Sequence, residues 1–263
     1  MMTRNKHLER FGFRFTRGST HNARTMMLGE LTTLFDHTND CETTRADYLK
    51  AIVDENCLAK RSGKTRLLTY RHLVALYALD PSLLLFRALC FFWKRDIPGR
   101  PLIALICAFV RDPLLRASLP LVRAIHANDP VDRQAMERFI DDLEPERFSK
   151  ATLTSTAQNI NSTWTQSGHL KGRKYKIRTR AQATPGSVSL ALLLGYLDGC
   201  RGLTLFQSEY VSLLDCSQNT AVELAEDASR RGWIAFKRVG DVMEVHFPRI
   251  ITSQEMEWIH EQN

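Results

Sequence analysis

A cluster of basic residues without acidic neighbours is the feature of this sequence that most directly suggests a chemistry. Between Arg147 and Leu197, a segment we call the basic window, the chain has eight Lys or Arg residues and no Asp or Glu. The 263-residue chain has 36 basic and 29 acidic residues, so the remainder, with 28 basic residues (36 less these eight), is about neutral. Concentrated positive potential attracts polyanions and displaces their counterions. The basic window therefore predicts binding to phosphate groups.

A helix followed by a β-hairpin is the predicted structure of the basic window. Ser149 suits a helix N-cap, and apolar residues from Leu153 to Trp164 recur at the spacing of one helix face. Gly168 ends the helix, and the sequence HLKGRKYKIRT is typical of two short strands around a turn. The polar helix face and the hairpin supply donors and acceptors that suit base edges and phosphates in DNA. These candidate DNA-binding residues are Lys150, Thr152, Ser155, Gln158, Asn159, Ser162, Lys171, Arg173, Lys174, Lys176, Arg178 and Arg180.

A second basic cluster precedes a predicted helix in the first half of the chain. Basic groups at a helix N-terminus are suited to hold a phosphate, so we predict a second phosphate contact here, with a solvated basic loop as the alternative. Gly63-Lys64-Thr65 is similar to the end of a P-loop, but Leu58 stands where that motif requires glycine. Nucleotide hydrolysis is not predicted. The residues of this cluster are Lys60, Arg61, Lys64 and Arg66.

The C-terminal part of the chain repeats the order of helix, glycine and hairpin. A helix over residues 217–231 precedes two alternating segments around Val239-Gly240-Asp241. This helix has Gln, Asn and Thr near its start but also Glu223, Glu226 and Asp227. Thr220 and Glu223 have the spacing of a capping box. Contact with DNA and contact with protein are equally open for this second module.

The predicted fold class is mainly α: a helical N-terminal domain followed by winged helix-turn-helix modules with short β-hairpin wings. Helices are predicted over residues 23–36, 44–56, 67–79, 82–94, 100–111, 113–127 and 130–142. The predicted domains are 1–145, all helical; 146–186, a basic winged helix-turn-helix; and 187–263, a second winged helix-turn-helix-like domain. Two apolar runs, Leu83–Trp93 and Leu102–Val110, fall short of the roughly 20 residues of a membrane span. We therefore expect no membrane contact.

The sequence lacks the motifs that metal binding and the common kinds of enzyme catalysis require. The six cysteines are scattered without CxxC spacing, so neither a zinc site nor any other metal site is predicted. No nucleophile elbow, HExxH or paired-acid motif is present, so we predict a non-enzymatic protein without catalytic residues or cofactors. The N-terminus is basic but has no apolar signal-peptide core. A cytoplasmic protein is expected.

The segments NCLAKRS (residues 56–62), RHLVALYALDPSLLLFRAL (71–89) and FSKATLTSTAQNINSTWTQSGHLKGRKYKIR (148–178) together resemble the BrxA proteins of BREX bacteriophage-defence systems. The resemblance extends over about residues 10–250. It implies a small helical protein with helix-turn-helix modules, in part similar to the antitermination factor NusB. It also implies binding to double-stranded DNA and, as further partners, other BREX proteins.

The expected function is therefore that of a double-stranded DNA-binding component of a phage-defence system. In this hypothesis the helix after Ser149 enters the major groove and the hairpin contacts phosphates. A protein–protein assembly adaptor of the defence complex and a transcriptional regulator of its operon are the alternatives. RNA binding ranks lower, because no aromatic stacking motif of the RRM type is present.

Overall fold

The computed structural model of the chain describes residues 2–16, 18–38 and 43–261. This part is mainly helical and contains two sheets of two antiparallel strands each, so the mainly α prediction is confirmed at that level. The chain divides into two compact units, each made of two sequence segments. The first unit consists of Met1–Phe86 and Cys107–Arg180, and the second of Arg87–Ile106 and Ala181–Asn263.

The first unit is built from short helices and one small sheet. Its first four helices are α1 (Met2–Arg10), α2 (Leu28–Thr38), α3 (Arg45–Val53) and α4 (Gly63–Tyr77), with a 3-10 turn at Thr20–Asn22. Helices α5 (Leu84–Arg95) and α6 (Arg100–Arg111) each contribute residues to both units. Then follow α7 (Pro113–Ala117), α8 (Leu119–Ala124), α9 (Arg133–Leu143) and α10 (Lys150–Gln166). The strands β1 (Leu170–Lys171) and β2 (Ile177–Arg178) form the first hairpin.

The second unit adds further helices and the longer sheet. Its helices are α11 (Pro185–Leu197), α12 (Leu203–Phe206), α13 (Glu209–Ser212) and α14 (Gln218–Arg230). The strands β3 (Ala235–Val239) and β4 (Val242–His246) form the second hairpin, and α15 (Ser253–His260) follows. Its core includes α11, whose residues from Gly186 to Leu197 are all buried.

Helix α10 is fixed by contacts with residues far away in the sequence. Ala157, Ile160 and Trp164 are completely buried, as their spacing predicts. Trp164 Nε1 donates a hydrogen bond of 2.9 Å to Ser118 Oγ. Thr163 Oγ1 accepts from the amide of Met26 at 2.8 Å. These contacts set both the position and the rotation of α10, and thereby decide which of its side chains reach solvent.

Asp112 is a buried carboxylate of the first unit. Its carboxylate accepts hydrogen bonds from Ser19 Oγ and the Thr20 amide, both at 2.7 Å, and His21 Nδ1 lies 3.0 Å away. It also caps α7 by accepting from the Leu115 amide. Burial alone would raise the pKa of Asp112, but the His21 charge and these hydrogen bonds outweigh it and lower the pKa to about 2. His21 Nε2 in turn lies 2.9 Å from the Thr163 hydroxyl of α10, which links this network to that helix.

The first hairpin is supported by a third segment of chain. The Asn128 amide donates to the Arg178 carbonyl at 2.8 Å, and the Arg178 amide donates to the Asp129 carbonyl at 2.9 Å. The Val131 amide donates to the Lys176 carbonyl at 2.8 Å. Gly172 turns the chain with φ of +98°, and a Cβ there would lie 2.1 Å from the Tyr175 carbonyl oxygen. The base of the hairpin is therefore hydrogen-bonded on both sides, and its turn requires glycine.

Several boundaries differ from the predictions. Helix α2 begins at Leu28 rather than Ala23, the helix predicted over 113–127 is divided at Ser118, and α15 was not predicted. The segment predicted as a separate domain, 146–186, falls largely within the first unit, because α10 packs against residues about 140 positions earlier. Within the described residues, no helix has the length and apolar character to cross a membrane.

Candidate nucleic-acid interface

The twelve candidate DNA-binding residues fall into three classes of exposure. The exposed ones lie along α10 and the first hairpin: Lys150, Ser155, Gln158, Lys171, Arg173, Lys174 and Arg180. The half-buried ones are Thr152, Asn159, Ser162 and Lys176, and Arg178 is buried. The N-cap is as predicted, with Ser149 accepting from the Thr152 amide. Seven of the candidates are therefore exposed to solvent.

Arg178 has a structural role, which corrects its assignment to the binding surface. It is 4% exposed. Its Nε donates to the Val122 carbonyl at 3.1 Å, and its Nη1 donates to the carbonyls of His169 and Thr179. A buried guanidinium needs such acceptors, because an unpaired buried charge is costly. The sequence pattern did not reveal this, since Arg178 stands among exposed basic residues.

Four other candidates are partly occupied within the protein. The Thr152 hydroxyl lies 2.9 Å from Ser149 Oγ, and Ser155 Oγ donates to the Thr152 carbonyl at 2.9 Å. Asn159 Nδ2 donates to the His21 carbonyl at 2.9 Å. Lys176 Nζ donates to Thr165 Oγ1 at 2.8 Å and to the Gly172 carbonyl at 3.3 Å. Burial lowers the pKa of Lys176. An ammonium has three N–H donors, so Lys176 retains one for a ligand.

A cleft of about 350 Å³ separates α10 from the first hairpin. Gln158, Asn161 and Ser162 line it on the helix side. Arg173, Lys174 and Lys176 line it on the hairpin side, with Val131 beside them. The cleft thus brings uncharged hydrogen-bonding groups of the helix and three basic side chains to one place. Sequence reasoning missed Asn161 and Val131, because neither position is marked until the hairpin is in place.

Tyr175 is an exposed aromatic residue at the tip of the first hairpin. Its side chain is 80% exposed, and Lys174 Nζ lies 5.5 Å from the centre of its ring. Such a ring between basic residues is suited to stack on a base or a sugar. Sequence reasoning missed this residue too, although the string Lys174-Tyr175-Lys176 was a usable signal.

The carboxylates that precede α10 are partly neutralised by local ion pairs. Asp132 Oδ2 lies 2.7 Å from Arg138 Nη2, and Glu144 pairs with Arg147. Arg147 therefore contributes less to the field of the basic window than its charge suggests. The uncompensated positive charge lies further along, at Lys150 and on the first hairpin.

Two of the four residues of the second basic cluster are already bound within the protein. Lys60 Nζ pairs with Glu30 at 3.1 Å, and Arg66 Nη1 donates to the Val53 carbonyl at 3.0 Å. Arg61 and Lys64 are exposed beside the start of α4, which Ser62 caps. The predicted second phosphate contact is thereby reduced to two basic side chains, Arg61 and Lys64.

The second hairpin and its helix have a different surface character. Ser217, rather than the predicted Thr220, caps α14. Asp227 of α14 pairs with Arg231 at 2.8 Å, and Glu244 pairs with His246 at 2.7 Å. Two exposed valines flank the turn of this hairpin: Val239 is 79% and Val242 is 73% exposed. Acidic and basic side chains pair with each other on this surface. The second hairpin exposes valines at its turn, where the first hairpin exposes basic residues.

Among the described residues, no group of three or more His, Cys, Asp or Glu side chains is placed to hold a metal ion. Comparison of the chain with models of known protein families and with curated proteins finds no match.

Proposed function

We propose that the surface formed by α10 and the first hairpin binds double-stranded DNA, and that the protein acts without catalysis of its own. The observation that carries this proposal is the cleft in which Arg173 and Lys174 face Gln158 and Ser162. Basic groups attract the phosphate backbone, whereas uncharged amides and hydroxyls read base edges. Both kinds of group meet on one surface.

The order of elements supports a winged helix-turn-helix arrangement. Helices α9 and α10 pack together, the first hairpin follows, and the Asn128–Val131 segment pairs with β2. In such modules the second helix enters the major groove, which is wide enough for an α-helix. Lys150 and Ser155 then lie near the entering end of α10. Lys171, Arg173 and Lys174 contact phosphates beside the groove.

The resemblance to BrxA proteins gives the proposal its biological setting. By that resemblance the protein is a DNA-binding component of a BREX phage-defence system in the bacterial cytoplasm. Because most of the proposed contacts are to phosphates, we expect strong, salt-sensitive binding with modest sequence preference. Random duplex and the promoter of the protein's own operon should then bind with similar affinity.

A charge-reversal pair tests the proposal directly. Arg173→Glu with Lys174→Glu should abolish binding to a random duplex in a fluorescence anisotropy titration across a salt series. The matched control is Lys237→Glu with Arg238→Glu, which reverses two exposed charges on the second hairpin. The control should bind as the natural protein does. Equal binding by both variants contradicts the proposal, and preferential binding to structured RNA redirects it.

A second candidate function, assembly with partner proteins, rests on the second hairpin. Val239 and Val242 expose apolar surface at its tip, a feature suited to protein contact. Val239→Asp with Val242→Asp should abolish co-purification of other defence-system proteins in the presence of nuclease and high salt, while DNA binding remains. Retained co-purification would exclude this hairpin as the contact.

A further inference from the structure

The first hairpin carries an exposed aromatic ring at its tip. Tyr175 is 80% exposed, whereas every other Phe, Tyr and Trp side chain of the described residues is buried or half-buried. An aromatic side chain buries a large area once it meets a partner, so a ring kept in water is available for such a contact. The phosphate contacts proposed above do not use this ring. Its surroundings indicate the partner.

The residues around Tyr175 are basic on both sides. Arg173 and Lys174 precede it and are exposed, and Lys176 follows it. Lys174 Nζ lies 5.5 Å from the centre of the ring. The basic window that contains them has no Asp or Glu. Cations beside a single ring match a partner that offers phosphates next to flat apolar faces, and nucleic acid has both.

The backbone that carries the ring is held in place relative to α10. The Val131 amide donates to the Lys176 carbonyl at 2.8 Å, and Lys176 Nζ donates to Thr165 Oγ1 of α10 at 2.8 Å. On the other side of the turn, Gly172 lets the chain pass close to the Tyr175 carbonyl oxygen. A preorganised group loses little conformational entropy on binding. Tyr175 is thus placed to enter a duplex that α10 already contacts.

We propose that Tyr175 inserts between two base pairs from the minor groove and bends the DNA, an inference that rests on the proposed function for the identity of the partner. Proteins that bind single strands stack successive bases on several rings, whereas one exposed ring suits one base step of a duplex. The lysines and the arginine beside Tyr175 then lie against the phosphates on either side of that step.

The direction of the bend agrees with the position of α10. With α10 in the major groove, the first hairpin meets the adjacent minor groove. A side chain that inserts there bends DNA by roughly 20–90° toward the major groove. The duplex is therefore bent toward the protein, and more of its backbone reaches the basic surface. These added contacts offset the cost of unstacking one base step.

The test compares two duplexes of roughly 25 base pairs with the full-length protein, one rich in TA steps and one with a central A-tract. TA steps unstack easily, whereas an A-tract is stiff and its narrow minor groove attracts Lys and Arg. Insertion of Tyr175 should make the TA duplex bind on the order of fivefold more tightly, whereas a hairpin that acts by charge alone should favour the A-tract. Energy transfer between dyes at the two ends should report bending of the TA duplex.

Two substitutions of Tyr175 separate the ring from the charges. Tyr175→Ala should abolish both the bend and the preference for TA steps, with the salt dependence unchanged because no charge is removed. Tyr175→Phe should retain both, since it keeps the ring. The position is 80% exposed, so neither variant should change the melting temperature. A bend that persists in Tyr175→Ala overturns the inference.

The remaining outcomes distinguish this inference from the proposed function. Tighter binding of the A-tract duplex, or binding of the TA duplex without a bend, overturns the insertion of Tyr175 but leaves the proposed function intact. Absence of binding to either duplex overturns the proposed function itself. Binding to phosphatidylglycerol vesicles that is lost in Tyr175→Ala, while that variant still bends the TA duplex, would assign the ring to a membrane surface instead.

Discussion

The side chain of Arg178 donates a hydrogen bond of 3.1 Å from Nε to the carbonyl oxygen of Val122, a residue 56 positions earlier in the chain. This bond joins the first hairpin to the end region of α8. A residue that belongs by sequence to a basic surface therefore stabilises the interior. The surface charge that remains is set by its neighbours Lys171, Arg173 and Lys174.

Arg178→Met should destabilise the first unit. The substitution removes the hydrogen bonds of the buried guanidinium to the carbonyls of Val122, His169 and Thr179, at an expected cost of about 2–4 kcal/mol in the free energy of unfolding. Urea denaturation measures it. Arg180→Met, at an exposed position two residues on, should change stability by less than about 0.5 kcal/mol. Equal effects of the two substitutions would contradict the structural role of Arg178.

Lys150 and Gln158 should affect DNA binding in different ways. Lys150→Ala should reduce the slope of log K against log salt by about 0.9, because one phosphate contact is lost. Gln158→Ala should weaken binding without a change in slope, since an uncharged amide displaces no counterion. A salt series with one duplex measures both. A change of slope in Gln158→Ala would show that the two roles are not divided in this way.

The stability of the first unit should fall at acid pH because of Asp112. Its pKa is about 2 in the folded protein, below the ordinary value of 3.8. A lowered folded-state pKa contributes stability that is complete above about pH 4 and is lost as the pH falls through 2, roughly 2 kcal/mol in all. Asp112→Asn should be less stable at pH 7 and should lose less on acidification. Denaturation at pH 7 and pH 2.5 measures this, with the exposed Asp141→Asn as the unaffected control.

Glu255 should be important for the attachment of α15 within the second unit. This residue is 5% exposed, lies 2.7 Å from Arg87 Nη2, and completes the capping box of Thr252. Glu255→Gln should lower the free energy of unfolding by about 1–3 kcal/mol, because the amide replaces a charged acceptor. Glu257→Gln, exposed on the same helix, is the matched control. Equal stability of the two variants would exclude the proposed attachment.

The elements predicted correctly from sequence are those fixed by local rules. Helix α6 has the predicted limits, and Ser149 occupies the predicted N-cap position because its hydroxyl reaches an amide only three residues away. The burial of Ala157, Ile160 and Trp164 likewise follows from helical spacing. Such features require no knowledge of the rest of the chain.

The features that were missed depend on contacts between distant segments. The burial of Arg178 needs Val122, and the occupation of Asn159 needs His21, which lies 138 residues earlier. Asn161 becomes part of a cleft only when the first hairpin lies opposite α10. No periodicity or composition within the basic window contains this information. The sequence therefore predicts where the interface lies, whereas the residues that belong to it are decided by tertiary contacts.

The interleaving of the two units in the sequence has a practical consequence for work with fragments. Arg87–Ile106 lies within the sequence of the first unit but belongs to the compact body formed by residues from Ala181 onward. Truncation after Arg180 keeps all eight basic residues of the basic window but would remove the residues from Ala181 onward with which this segment forms a compact unit. Phe92, Trp93 and Ile103, at most 1% exposed in the intact protein, are then expected to cause aggregation. No single cut yields either unit, so the DNA-binding surface must be dissected by point substitution in the intact polypeptide.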